Sequence, residues 1–188
     1  MKKPEIRHLY DIKSVLYDKK WLKTAPNLEL YYIYRGLKKK NDLRYDITII
    51  PPKMLGKEFI KTKGHYHVGD FGELYNVLSG RGIFLAQKEE NGKIQDIFYI
   101  RAQKGEFVLI PPKYGHTTIN ESNSILKMAN WISKNCQSDY KRIERKKGFG
   151  YYYTKSGWLK NKRYKKIPKL RSEKALKTMP KDLNFLKG

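Results

Sequence analysis

Three of the four histidines in the chain, His65, His67 and His116, together with Glu73, are the residues best suited to chemistry. His65 and His67 have the spacing His-x-His, which on a β-strand turns both imidazoles to one face. Glu73 follows His67 after five residues, far enough for the chain to turn and return on an adjacent strand. Three imidazole nitrogens and one carboxylate oxygen suit Zn²⁺, Fe²⁺, Mn²⁺ or Ni²⁺, and the octahedral ions among these keep two positions open for water or substrate. An open site of that kind is catalytic in character. A lone His-x-His is more often two polar residues on a solvated face. Here the downstream pattern Gly105-x5-Pro111-x4-His116-x3-Asn120, with Gly80 following Glu73 after six intervening residues, places a further ligand after a strand and turn.

Strands must position such a group. From Leu30 to Trp131 short apolar or alternating runs (YYIY, YDITII, ELYNVL, GIFLA, DIFYI, FVLI, ILKMANWI) are separated by Gly, Pro, Asn or charged clusters. That rhythm predicts an all-β sandwich or barrel. Asn91-Gly92 predicts a type I′ hairpin joining GIFLAQKEE to KIQDIFYI. Pro111-Pro112 ends the FVLI strand, since proline has no amide hydrogen to donate, and puts His116 just past a strand end. Ile12, Val15 and Leu16 predict a short amphipathic N-terminal helix. Lys38-Lys39-Lys40 reads as a loop tip, YYYTKSGW as a last hairpin, and SEKALKTM as a turn or two of helix. The stretch from Lys160 to Arg171 has the composition of a solvated polybasic linker. The expected organisation is an N-terminal segment over 1–29, a barrel over 30–154 and a basic C-terminal extension over 155–188.

A chain of 188 residues and 22.3 kDa is enough for one domain with a real core. The single cysteine, Cys136, cannot form an internal disulfide, and MKKPEIRHLY offers no apolar signal core, so the expected location is cytoplasmic. No run approaches membrane-spanning length. The formal charge is +23, yet residues 64–133 are balanced and residues 134–188 carry +14. The surplus therefore lies outside the segment that holds the histidines. Coding-sequence bias toward lysine would account for it as well as a polyanionic partner would.

The two histidine-bearing patterns are those of cupins, and KEFIKTKGHYH resembles the archaeal cupin-type glucose-6-phosphate isomerase family. The resemblance runs from Leu43 to Asn120 and more weakly to Gly148-Phe149. It implies a double-stranded β-helix, or jelly-roll, barrel with His65, His67, Glu73 and His116 as ligands of one divalent metal, Fe²⁺ foremost and Mn²⁺, Ni²⁺ or Zn²⁺ as alternatives. It also implies a homodimer that interconverts glucose 6-phosphate and fructose 6-phosphate. Glu73 is then either ligand and base in alternation or, if the hydrogen moves between C1 and C2 as a hydride, a ligand alone. Thr48, Thr62 and Gly64 match family positions near the phosphate, and Tyr31, Tyr75 and Tyr140 match aromatics of the sugar cavity. Lys63 is expected to attract the dianion, and Lys61 to face solvent. Two departures stand out: Lys113 replaces a glycine three residues before the second-motif histidine, and Ser138-Asp139-Tyr140 stands where the family shows His-Asp-Tyr.

Two other readings fit parts of the chain. A three-histidine, one-carboxylate site holding Fe²⁺ also serves oxygen chemistry, but TKGHYH with Thr48 upstream fits phosphate binding instead. KNKRYKKIPKLR interleaves Tyr164 with cations and would suit a nucleic-acid-binding tail, with the barrel as a sensor.

Overall fold

The computed structural model describes residues 3–188. Its body is two facing sheets, antiparallel throughout except where residues 171–174 join the second. The first is ordered β1-β2-β3-β12-β7-β10, with β1 at Glu5–His8, β2 at Glu29–Lys40, β3 at Leu43–Ile50, β7 at Glu73–Ser79, β10 at Phe107–Ile110 and β12 at Leu126–Ser133. The second is ordered β11-β8-β9-β16, with β8 at Arg81–Glu90, β9 at Lys93–Gln103, β11 at Tyr114–Ile119 and β16 at Arg171–Lys174. Bridges His65↔His116 and Lys61↔Ile119 dock the pair β6 (Tyr66–Val68) and β13 (Gln137–Asp139) beside β11. From β9 to β12 the chain alternates between the two sheets, which is jelly-roll topology. The remaining strands, β4 (Met54–Leu55), β5 (Glu58–Phe59), β14 (Tyr151–Thr154) and β15 (Gly157–Lys160), form a small flanking sheet.

The alternation read from the sequence builds this barrel. Phe84, Val108, Ile110, Leu126 and Met128 point inward, while Tyr66, Leu85 and Ile97 are buried on the opposite face under the flanking segments, all nearly inaccessible to solvent. At the β8–β9 turn Asn91 and Gly92 have φ of 50° and 76°, the positive pair that type I′ geometry needs. FVLI ends at Ile110, before the prolines, and YYYT pairs with GWLK as the predicted last hairpin.

Several expectations are corrected. Lys38-Lys39-Lys40 is the end of β2, and the turn lies at Asn41-Asp42. The N-terminal helix is broken into α1 (Leu9–Ile12), a 3-10 turn (Lys13–Val15) and α2 (Lys19–Leu22), because Leu16 is extended and Asp18 caps a new start by accepting from Trp21 N at 3.0 Å. A third short helix, α3, spans Lys141–Arg145. His116 lies within β11 and not beyond a strand end. Residues 171–174 of SEKALKTM and its approach are a strand, β16, paired in parallel with β9.

Residues 155–188 pack on the barrel along much of their length. Arg171 grips Asp96 through Nε at 3.0 Å and Nη2 at 2.6 Å, and Leu176 bridges Phe107. Leu183, Phe185 and the fully buried Leu186 then cover an apolar patch of Leu43, Leu74, Leu109 and Trp131 on the first sheet. Phe185 O accepts from Gly72 N at 2.7 Å, immediately before Glu73. A side chain at Gly72 would strike Phe185, so the close approach depends on glycine. No helix among the described residues is long and apolar enough to cross a membrane.

Candidate metal centre

Each candidate ligand is set by a different local device. Gly64 has φ +75°, and a Cβ there would meet Phe149 at 2.4 Å and the His116 carbonyl oxygen at 2.8 Å. The following residue, His65, pairs with His116 through two backbone hydrogen bonds, His65 N to His116 O at 3.1 Å and His116 N to His65 O at 2.9 Å. That bridge sets the two imidazoles side by side with centroids 4.7 Å apart. His67, two residues on, presents its ring to the same cluster, 5.1 Å from His65 and 5.3 Å from His116. Glu73 opens β7 in the facing sheet, so the carboxylate closes the group from across the barrel and not from a hydrogen-bonded neighbour strand.

His67 Nδ1 lies 2.8 Å from Phe71 O and, as the donor, assigns the tautomer whose Nε2 lone pair faces the cluster. Glu73 Oε2 is 3.2 Å from His67 Nε2 and 3.0 Å from His116 Nε2. His67 Nε2, Glu73 Oε2 and His116 Nδ1 are nevertheless buried without a hydrogen bond among the described residues. Buried orphans of this kind are costly unless something satisfies them, and here they are donor atoms with lone pairs for a cation. The four donor atoms lie within 4.8 Å of one another. A shared ion at roughly 2.1 Å from each would need a spread of at most about 4.3 Å, a contraction of a few tenths of an ångström. The residues fit a divalent ion.

The electrostatics suit two of the four directly. Burial and the neighbouring His116 hold His65 well below the ordinary histidine value, leaving it neutral and able to ligate. Burial would raise the proton affinity of Glu73, but His116 and His67 beside it hold the carboxyl well below its usual range, as an anion. His67 differs: burial disfavours its cation, but Cys136 and Glu73 outweigh burial and raise its proton affinity to about 10, so an ion would have to displace a proton from it.

His65, Glu73 and His116 open on a cavity that Tyr31, Thr48, Thr62, Gly64, Tyr75 and Tyr140 also line, and His67 stands behind it. Tyr75 OH is 2.9 Å from His116 Nε2. Tyr140 lies 5.7 Å from the His65 ring, and Tyr31 OH accepts from Lys63 N at 3.0 Å. Thr62 is committed in part to the fold: its Oγ1 accepts from Thr118 N at 3.0 Å. Ser138, in place of the family histidine, pairs with His67 in register and reaches the cavity. Lys63 lines the cavity and pairs with Glu144 at 2.6 Å. Lys61 does not face solvent. It is buried, with Nζ bonded to Glu58 and to Val15 O, and it ties the N-terminal turn to the barrel.

Sequence reasoning missed Arg7, Arg35, Arg44, Asp46 and Asn130, which also line the cavity. The available signal was the strand period of two. Arg44 and Asp46 share a face with Thr48 on β3, and Arg35 shares one with Tyr31 on β2.

The jelly-roll barrel is a cupin fold, and the three histidines and one carboxylate clustered beside its cavity could hold a metal ion. More narrowly, the chain belongs to the glucose-6-phosphate isomerase (GPI) family, whose model matches residues 6–169. Relatives bearing the name glucose-6-phosphate isomerase include those of Thermococcus onnurineus, 30% identical over 81% of this chain and 80% of the relative, and Pyrococcus abyssi, 36% identical over 61% and 62%. The match to the Thermococcus litoralis relative is 34% identical and spans 63% of each chain. Among solved structures, a Cupin 2 conserved barrel domain protein from Salinispora arenicola aligns with 54% of this chain and 73% of its own, at TM-score 0.37 and 13% identity.

Proposed function

We propose that this protein is a metal-dependent isomerase interconverting glucose 6-phosphate and fructose 6-phosphate. The observation that carries the reading is the convergence of His65, His67, Glu73 and His116 on one cavity in a chain of the isomerase family. His65, His67, Glu73 and His116 would hold a divalent ion, Fe²⁺ by preference, which would supply Lewis acidity to the open-chain sugar.

The protein's own groups do the rest. Glu73, kept anionic, removes the proton from C2 of the open-chain aldose and returns it to C1. The hydroxyl proton on O2 is lost and O1 gains one, so the enediol collapses to the ketose with no net change in atoms or electrons. Tyr75 OH, against His116, and Tyr140, against His65, bound the space for the sugar and restrict water. Isomerisation in D₂O tests the role of Glu73: deuterium at the transferred position supports it, and complete retention of protium indicates a hydride shift.

The principal test is an assay of fructose 6-phosphate conversion before and after chelation, then with Fe²⁺, Mn²⁺, Ni²⁺ or Zn²⁺ restored singly. Activity lost with the chelator and regained with an ion supports the proposal. Inactivity with every ion, in protein shown to bind metal, ends it. We also propose a homodimer, checked by sedimentation, and a cytoplasmic location.

A further inference from the structure

Residues 69–72 connect β6 to β7, so one short loop separates two of the candidate ligands, His67 and Glu73. The loop carries two glycines, Gly69 takes φ +90°, and residues 68–70 are exposed. Glycine restricts the backbone least, so a stretch of this composition needs outside support to keep one conformation. Both ligands depend on that conformation. Phe71 O accepts from His67 Nδ1 at 2.8 Å and so orients the ring, and Gly72 delivers Glu73, whose Oε2 stands 3.2 Å from His67 Nε2.

The last residues of the chain close over this loop. A 3-10 turn, Asn184–Leu186, begins beside Asp182, whose Oδ1 accepts from Asn184 N at 2.8 Å, and Lys187 Nζ donates back to Asn184 Oδ1 at 2.8 Å. Leu186 is buried on the patch that includes Leu74, the residue after Glu73. Phe185 accepts from Gly72 N through its carbonyl and sets its ring against the same glycine, where an added Cβ would meet the ring at 2.7 Å. That added atom would also meet Ile110 O at 2.9 Å, so Gly72 is clamped between β10 and the chain end. Gly188 sits on the Phe71 ring, which a Cβ there would approach to 2.5 Å. The family match ends at residue 169. The candidate ligands lie inside it, and the clamping residues of the chain end lie outside.

We propose that residues 183–188 are a positioning element for the metal centre: by pinning residues 69–72 against β10 they keep His67 and Glu73 at ligating distance, and so set how tightly an ion is held. The proposal rests on the metal-binding part of the functional reading and not on the reaction. A tail docked only to cover apolar surface would, when loosened, lower the stability of the fold and leave ion affinity unchanged.

The test is calorimetric titration of Mn²⁺ into the chelator-treated full chain, well below its unfolding temperature, for wild type, Phe185→Ala, Phe185→Leu and Leu176→Ala. The electron spin resonance spectrum of the bound Mn²⁺ is recorded for each. Loss of a group that orients metal ligands without touching the ion predicts roughly tenfold weaker Mn²⁺ binding and a broadened spectrum for Phe185→Ala, with Phe185→Leu between. Leu176 belongs to the same tail but bridges Phe107, at the end of β10 away from the loop, so Leu176→Ala should bind Mn²⁺ as wild type does. Should Phe185→Ala not fold, Phe185→Leu carries the same comparison with Leu176→Ala. Folded Phe185 variants with wild-type affinity and spectrum overturn the proposal. An equal loss in Leu176→Ala does so too, by tracing the effect to general loosening of the tail. A wild type that binds no Mn²⁺ ends the ligand assignment and the positioning role with it. Mn²⁺ binding that depends on Phe185, in a protein with no isomerase activity, upholds the positioning role and removes the isomerase reading.

Discussion

At the scale of residues, Gly64 shows how little freedom the centre allows. Its φ of +75° and the 2.8 Å approach of a would-be Cβ to the His116 carbonyl mean that Gly64→Ala must move the backbone that pairs His65 with His116. We expect it to cost about 1–3 kcal/mol in chemical denaturation and to weaken metal binding as well. His67→Ala and His116→Ala remove donors outright. Metal content measured after dialysis should fall to background, with the circular dichroism of the barrel retained, and retained metal in both would refute the ligand assignment. The clustering of the four candidate ligands was legible in the sequence because histidine is rare in it, so three at motif spacing stand out. Arg35 and Arg44 were not, since a chain with 41 Lys and Arg gives no single cation any prominence. Only their four-residue offset from Tyr31 and Thr48, an even number that keeps them on the same strand face, marks them, and that needs the strand boundaries first.

At the scale of elements, the β8–β9 hairpin was readable because its turn chemistry is local, carried by Asn91 and Gly92. β16 was not readable. RSEK has no apolar alternation, all four of its residues are exposed, and its pairing with β9 is parallel and distant in sequence. What holds it is the backbone ladder with Arg171 on Asp96 and Lys177 on Glu106. The hydrogen bond from Arg171 lowers the Asp96 proton affinity, and the one from Lys177 lowers that of Glu106. Groups depressed in the folded state contribute stability that is complete above their unfolded values, 3.8 and 4.5, and is lost as pH falls through the folded ones. Amide exchange of β16 should therefore quicken relative to that of β8 as pH drops from 5 toward 3, after correction for intrinsic rates. Asp96→Asn should show the faster exchange already at pH 7. Leu186 acts by burial instead: Leu186→Ala should destabilise by roughly 2–4 kcal/mol in denaturant, and equal midpoints for variant and wild type would show the patch on the first sheet to be covered without it.

At the scale of the molecule, the formal charge of +23 surrounds a centre whose own segment is neutral. A field of that sign draws in a dianionic substrate, so kcat/KM for fructose 6-phosphate should fall as NaCl is raised from 20 to 300 mM, while that for a neutral sugar stays level. A flat salt profile would leave the charge without a part in substrate capture. The architecture was legible at this scale because short strands and turn residues recur through the barrel. The course of residues 161–188 over its surface was not, because a basic, weakly patterned stretch gives no sign of what it will cover. The hydrogen bond from Gly72 to Phe185 joins residues far apart in the order of synthesis. A ribosome releases Glu73 and the neighbouring histidines more than a hundred residues before the segment that braces them. A nascent chain thus carries all four candidate donors while the loop before Glu73 still lacks its brace, so the geometry of the group is completed only once the C-terminal segment has been made and docked.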